Sequence, residues 1–220
     1  MNFFKNSGNE KYSLTGNEKP SVLFLTEGIA EATFMEKWLA VAAPSRTDIT
    51  VISFKGLGNF QAFLKNTVHD ENFKSVKKIG FFLDAETNPS TSRQVSVNDI
   101  CRKLNLITNN ETIAAGALSH CSNRDFCLYI SPDNQNPGRI EDIVINEILT
   151  TGAAQPVIDF KNSIAQNMNQ AAQSKTLVQA YLGLVGNGEL CGTARGFDKG
   201  HLNPLHNAYS TIHALFSRII

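Results

Sequence analysis

The chain has 220 residues with 20 basic and 20 acidic side chains, so no global field draws it onto nucleic acid or a membrane surface, although a local basic groove stays open. That length buries a substantial core and fits one domain carrying a helical extension. No window approaches the roughly 18 consecutive apolar residues of a membrane span; the first twenty residues lack a signal peptide's apolar core, and the four cysteines show neither a C-x-x-C pair nor disulfide-scaffold density, so the expectation is a cytoplasmic protein with buried thiols and no membrane.

Residues 1–19, rich in Asn, Gly, Lys and Ser, read as a loose arm or a short edge element. The run Val22, Leu23, Phe24, Leu25 is short and continuous rather than alternating, which suits a strand buried on both faces of a parallel sheet. It stops at Glu27-Gly28. Glu27 therefore falls at a strand's carboxyl end, where ligands and reacting groups collect in open α/β sheets. Gly28 permits a sharp turn, and Glu31 falls in the first turn of a helix, near the positive end of its dipole. Phe34, Trp38, Leu39 and Val41 recur near helical spacing until Pro44.

A second apolar run, residues 49–54, closes on Lys55-Gly56-Leu57-Gly58-Asn59, after which Phe60, Phe63, Leu64 and Val68 recur at three- and four-residue intervals. The glycine pair is either an anion cradle at a helix N-terminus or a tight turn. The third run, residues 78–83, ends in Asp84-Ala85-Glu86, a second acidic strand end. A polar loop over residues 87–92 precedes a helical pattern of Val95, Val97, Ile100 and Leu104. Two shorter β-like runs cover residues 112–118 and 126–130, with Ser-His-Cys-Ser-Asn-Arg-Asp as their connection. This alternation argues for an α/β fold with a mainly parallel sheet and right-handed crossovers.

Residues 131–138 (SPDNQNPG) form a dense cluster of turn formers, and Ile140, Ile143, Val144 and Ile148 then share one helical face over residues 139–150. Glu141 and Asp142 fall in that helix's first turn. Helices are predicted over residues 158–168 and 175–184, followed by a glycine-rich connection (Gly186, Gly188, Gly192, Gly196, Gly200) and a last helix from about residue 203 striped by Leu205, Tyr209, Ile212, Leu215, Phe216 and Ile219. The chain thus divides into an arm (1–19), an α/β core (20–150) and a helical C-terminal extension (151–220) packed on the core.

Parallel pairing of the first and third strands brings Glu27, Asp84 and Glu86 together. Clustered carboxylates repel one another, and oxygen-ligated Mg²⁺ or Mn²⁺ relieves that repulsion. Two metals roughly 3.5–4 Å apart clamp the attacking and leaving oxygens of a phosphodiester displacement. The competing reading is that these acids cap helices and meet solvent.

T-E-G-x-x-E after the first strand, K-G-x-G after the second and D-A-E after the third resemble, in that order, the Toprim domain shared by topoisomerases, primases and several nucleases. Over residues 20–150 the chain looks most similar to the nuclease branch that includes the overcoming-lysogenization-defect proteins, and to small stand-alone Toprim-like proteins. The resemblance implies a Mg²⁺- or Mn²⁺-dependent nuclease acting on DNA or RNA. It carries metal-binding roles onto Glu27, Glu31, Asp84, Glu86 and Glu141, and catalytic roles onto Glu27, Asp84 and Lys175. It departs from the family's D-x-D at Glu86, whose extra methylene alters its reach. No G-x-x-x-x-G-K-[ST] motif is present, so an ATPase partner would be a separate chain.

Each weaker candidate has a plain structural alternative. Lys175 suits a transition-state phosphate contact or a solvated side chain, Glu141 a ligand or a dipole-favoured first-turn acid, and Arg139 a phosphate contact or an exposed helix start. The two other functional classes are a non-catalytic Toprim-like binding module and a small-molecule phosphohydrolase. His120, Cys121 and Cys127 lack a fourth ligand at zinc spacing, and Ser131 sits in no nucleophile-elbow motif.

Overall fold

The computed structural model describes residues 2–4, 19–87, 90–152, 154–164, 170–186 and 192–220. Six strands form one sheet in the order β1-β3-β2-β4-β6-β5. They are β1 (Asn2–Phe4), β2 (Val22–Thr26), β3 (Ile49–Ser53), β4 (Lys78–Asp84), β5 (Leu118–Cys121) and β6 (Arg124–Ser131). Every neighbouring pair is parallel except β5 with β6. Asn2–Phe4 of the arm pair with β3, while residues 5–18 lie outside the described residues.

The continuous apolar runs follow from burial on both faces. Within β2, Val22 and Phe24 enter one core with Phe82, Cys127 and Tyr129, whereas Leu23 and Leu25 enter the other with Phe81, Leu83 and Leu128. Alternate side chains of one strand thus feed opposite cores, so apolar residues are needed at every position. Gly80 of β4 fits the same packing, since a Cβ there would lie 2.4 Å from the ring of Phe24.

Helices α1 (Ile29–Ala42), α2 (Leu57–Val68) and α3 (Ser90–Lys103) follow β2, β3 and β4. The α1 residues Phe34, Met35, Trp38 and Leu39 pack on the first face, while the α2 residues Phe60, Phe63 and Leu64 pack on the second. Val41, read as part of the apolar stripe of α1, is instead exposed. Helix α4 (Ile140–Ile148) closes the core segment, and the extension adds α5 (Ala154–Ile164), α6 (Gln170–Val185), α7 (Thr193–Asp198) and α8 (Ser210–Phe216). Val144, Val178, Phe197, Tyr209 and Phe216 of this half join the first core, so it covers the face that α1 alone would leave open.

Several boundaries differ from the sequence reading. The stretch read as a connection after residue 118 contains β5 itself, and the reversal is a tight turn with Ser122 and Asn123 both at positive φ. The two positive values suit the turn geometry that joins twisted antiparallel strands. Helix α7 interrupts the glycine-rich connection, with Gly196 inside it, because any Cβ at 196 would press to 2.9 Å on Leu182 and Leu202. The last helix starts at Ser210 rather than near 203, and Leu205 before it is exposed.

The segment between them is held by a buried carboxylate: Glu147 of α4 accepts from the Asn203 N–H and the Tyr209 hydroxyl, each at 2.7 Å. Cys101, Cys121 and Cys127 are buried free thiols, and Cys191 lies outside the described residues. No helix among the described residues is long and apolar enough to cross a membrane.

Candidate acidic site at the strand ends

Thr26 of β2 pairs with Phe82 of β4, so Glu27 emerges beside Asp84 at the carboxyl end of the sheet. The Glu27 carboxylate accepts a hydrogen bond from the Asp84 N–H at 3.3 Å, and the N–H of Leu57, the first residue of α2, favours its charged form. Glu27 is thereby the anion at the N-terminus of α2, and the Lys55-Gly56-Leu57-Gly58 segment acts as a tight turn, with Lys55 and Gly56 at positive φ. This placement uses the dipole and the free amides of the helix start.

Asp84 is buried and accepts from the Ile140 N–H at 3.0 Å, which ties β4 to the start of α4. Glu31 of α1 is 2% exposed, and its Oε2 has no hydrogen-bond partner. Gly28 keeps room for it, since a Cβ there would come within 2.6 Å of that oxygen. Glu141 is also buried, and its Oε1 accepts from the Thr193 hydroxyl of α7 at 2.8 Å. Next to it, Asp142 accepts from the Arg139 N–H at 2.7 Å, capping the first turn of α4, and from the Ser174 hydroxyl of α6.

Electrostatics follow from this burial. Burial raises the pKa of Glu31 to about 7, reinforced by the charges of Glu141 and Glu27. Asp84 is pushed well above the usual carboxylate range by burial, then by Glu31, Glu141 and Glu27, with the Ile140 N–H opposing. Glu27 is raised by burial, with the nearby Arg93 guanidinium opposing. Arg93 of α3 donates from Nε to the Asp84 carbonyl at 2.9 Å.

The charges of Glu27, Glu31 and Glu141 all act on Asp84 across one end of the sheet, and that of Glu86 acts on Glu27. Glu86 also has a side-chain partner of its own. Its carboxylate is gripped by Arg139, with Nε donating at 2.8 Å and Nη2 donating to the same oxygen. Lys175 is exposed on α6 and takes part in none of these contacts.

The donor set is hard oxygen, the chemistry that Mg²⁺ and Mn²⁺ select. Two buried oxygens, Glu31 Oε2 and Ser131 Oγ, lack partners, and Ser131 is the register partner of Asp84. An unmet buried acceptor and crowded carboxylates are the debt a cation offsets. Among the described residues, however, no group of three or more His, Cys, Asp or Glu side chains stands together so as to hold a metal ion. The fit is one of chemistry and neighbourhood, with the ligands not gathered.

Sequence reasoning missed Arg93, Ser174, Thr193 and the partner of Glu86. Arg93 precedes the helical pattern that starts at Val95, Ser174 precedes the helix predicted from residue 175, and Thr193 falls in the stretch read as a glycine-rich connection, so no periodicity marks them.

Fold and site together define an open, mainly parallel α/β protein with carboxylates at the ends of its central strands and a helical extension over one face. The chain belongs to the family described as "Protein of unknown function (DUF3226)", which matches residues 21–220. Among solved structures it is similar to the hypothetical protein PH0156 from Pyrococcus horikoshii OT3, with a TM-score of 0.52 and 12% identity over 90% of this chain and 95% of that one; this likeness is one of fold. It also aligns with the C-terminal region of the Xanthomonas campestris pv. campestris OLD protein, at a TM-score of 0.43 and 13% identity over 90% of this chain and 94% of that one. No curated protein matches.

Proposed function

We propose that this chain is a Toprim-like binding module whose strand-end acids, Glu27, Glu31, Asp84 and Glu141, take Mg²⁺ or Mn²⁺ without the arrangement described here being one that cleaves phosphodiesters. The observation that carries this reading is the capture of Glu86 by Arg139, which draws the second acid of D-A-E into an ion pair. A two-metal displacement needs carboxylates converging on both ions. The bound cation would supply a Lewis-acid centre for phosphate oxygens, and Arg93 offers a neighbouring positive charge.

The test is thermal denaturation with and without Mn²⁺. Binding only the folded state stabilises it, by about 2.7 kcal/mol at a hundredfold excess over the dissociation constant. Asp84→Ala is expected to abolish that response. A parent melting temperature that ignores saturating Mn²⁺ refutes cation binding.

Metal-dependent cleavage of DNA or RNA is the second reading, favoured by the unpartnered Glu31 Oε2 buried among acids. Its signature is Mn²⁺-dependent cleavage of single- or double-stranded DNA or RNA that vanishes in Asp84→Ala. Cleavage unaffected by that change belongs to another site or another protein.

A further inference from the structure

We propose that the amino ends of the central strands, at the opposite side of the sheet from the acids, form a basic edge that takes the phosphate backbone of a nucleic acid without reading its sequence. The inference needs no cation and stands apart from the reading above.

Parallel pairing sorts the charges. Strands β2, β4 and β6 run one way, so Val22 is level with Lys78 and Lys78 with Asp125 at one end, while Glu27, Asp84 and Glu86 stand at the other. Strand β4 spans Lys78–Asp84, which puts about 20 Å between the two ends at roughly 3.3 Å per residue. A chain with equal numbers of acidic and basic residues is thus neutral overall and polar along its strands.

Backbone bonds hold the basic edge together. The Lys77 and Lys78 N–H groups donate to the Ser21 carbonyl at 2.9 and 3.1 Å, the Asp125 N–H donates to the Lys77 carbonyl at 2.9 Å, and the Ser75 hydroxyl donates to the Pro20 carbonyl at 2.9 Å. Lys19 and Lys74 are the chain neighbours of Pro20 and Ser75. Arg124 opens β6, donates from Nε to the Val76 carbonyl at 3.1 Å and lies 5.1 Å over the Phe73 ring. Beside them, the Arg218 N–H bonds the Leu215 carbonyl, which also accepts from the Cys127 thiol of β6 at 3.6 Å.

Lys19, Lys74, Lys77 and Arg218 are exposed, and Lys78 and Arg124 are half-buried. Acids do occur at this edge, but Asp48 is bound by Arg46, Asp125 faces His120 at 2.6 Å, and Asp70 accepts from the Asn72 N–H. Among the described residues none of the basic-edge cations is in an ion pair. Their charge is left for a partner.

The cations are spread over neighbouring strand ends, each roughly 4.8 Å from the next, and do not converge on one point. Such a row matches a chain of phosphates, which lysines meet as point charges and whose condensed counterions they release. A membrane surface fits less well. Anchoring there adds apolar side chains to the charges, and the exposed apolar residues, Ile29, Leu149 and Phe160 among them, belong to other segments.

The experiment follows the anisotropy of labelled duplex DNA, single-stranded DNA and RNA in EDTA, from about 50 to 200 mM salt. The parent is expected to bind on different sequences alike, and on the duplex its log affinity is expected to fall against log salt with a slope between about −3 and −5, at roughly 0.9 for each phosphate met. Lys77→Gln with Lys78→Gln is expected to reduce that slope by about two units and Arg218→Gln by about one. Lys55→Gln, at the acidic end, is expected to leave it unchanged. Where the double variant melts below the parent, Lys77→Gln alone, an exposed position, carries the test with a loss of about one unit.

Absence of nucleic-acid binding at the lowest salt overturns the proposal, as does a slope unmoved by the lysine variants or moved by Lys55→Gln in their place. Binding to phosphatidylserine vesicles without binding to nucleic acid overturns it in favour of a lipid surface. Because EDTA removes free metal, each of these results leaves the cation reading to its own Mn²⁺ test.

Discussion

Replacing Glu31 by Gln tests the electrostatic account of the site most directly. Glu31 is buried, its Oε2 has no partner, and burial together with Glu141 and Glu27 raises its pKa from 4.5 to about 7. The folded chain thus holds this proton more tightly than the unfolded chain does. Between roughly pH 4.5 and 7 the unfolded state binds fewer protons, so stability falls as pH rises through that window, with no penalty below it and a constant one above. At about 1.36 kcal/mol for each tenfold in proton affinity, the span from 4.5 to about 7 gives roughly 3 kcal/mol. For a chain of this size that is roughly 6–12 °C in melting temperature.

Asp84 and Glu27 are raised too, so they add to the slope with the same sign. Glu31→Gln keeps the shape of the side chain and removes its share. The assay is thermal denaturation in EDTA at half-unit steps from pH 4.5 to 8. The parent is expected to lose stability across the window, the variant to lose less, and the two to converge near pH 5. A parent curve flat over this range, or a variant curve parallel to it, refutes the reasoning.

With Mn²⁺ present the stabilisation is expected to grow from pH 5.5 to 8, opposing the metal-free slope, because ligating carboxylates must lose their protons first; a Mn²⁺ effect independent of pH would place the ion elsewhere. Gly80→Ala is expected to destabilise the fold by about 1–3 kcal/mol in urea denaturation, since its Cβ would meet the Phe24 ring at 2.4 Å in a packed core; a neutral result would show that β2 and β4 can spread. Tyr209→Phe leaves Glu147 Oε2 without its 2.7 Å hydroxyl donor and is expected to cost about 1–3 kcal/mol by the same measurement, with the Mn²⁺ response intact.

The strands and the acids at their ends were legible because both signals are local. A continuous apolar run closing on Glu27-Gly28 or on Asp84-Ala85-Glu86 reports two-sided burial and a strand end within a few residues, and parallel pairing then brings Glu27 beside Asp84 across 57 positions. Glu31 and Glu141 stood in predicted helix first turns, but it was the family resemblance that pointed to them as site residues. What the sequence hid depends on partners far along the chain. Thr193 meets Glu141 and Ser174 meets Asp142, yet single hydroxyls outside the predicted helical patterns carry no periodic signature. The short helix α7 was hidden by its glycines, which lower helix propensity; Gly196 is accommodated there because tertiary packing against Leu182 and Leu202 leaves no space for a side chain.

Glu86 shows how one methylene connects these levels. In the sequence it is a departure from D-x-D whose consequence depends on reach, and reach cannot be judged without a partner. In the fold that partner is Arg139, brought close because the Asp84 side chain accepts from the Ile140 N–H while the Glu86 N–H bonds Gly138. Two contacts from one strand end thus clasp the start of one helix. The longer carboxylate then spans to the guanidinium and forms an ion pair, while its charge still raises the pKa of Glu27. The residue that departs from the metal-binding pattern is thus the one that joins the end of β4 to the start of α4.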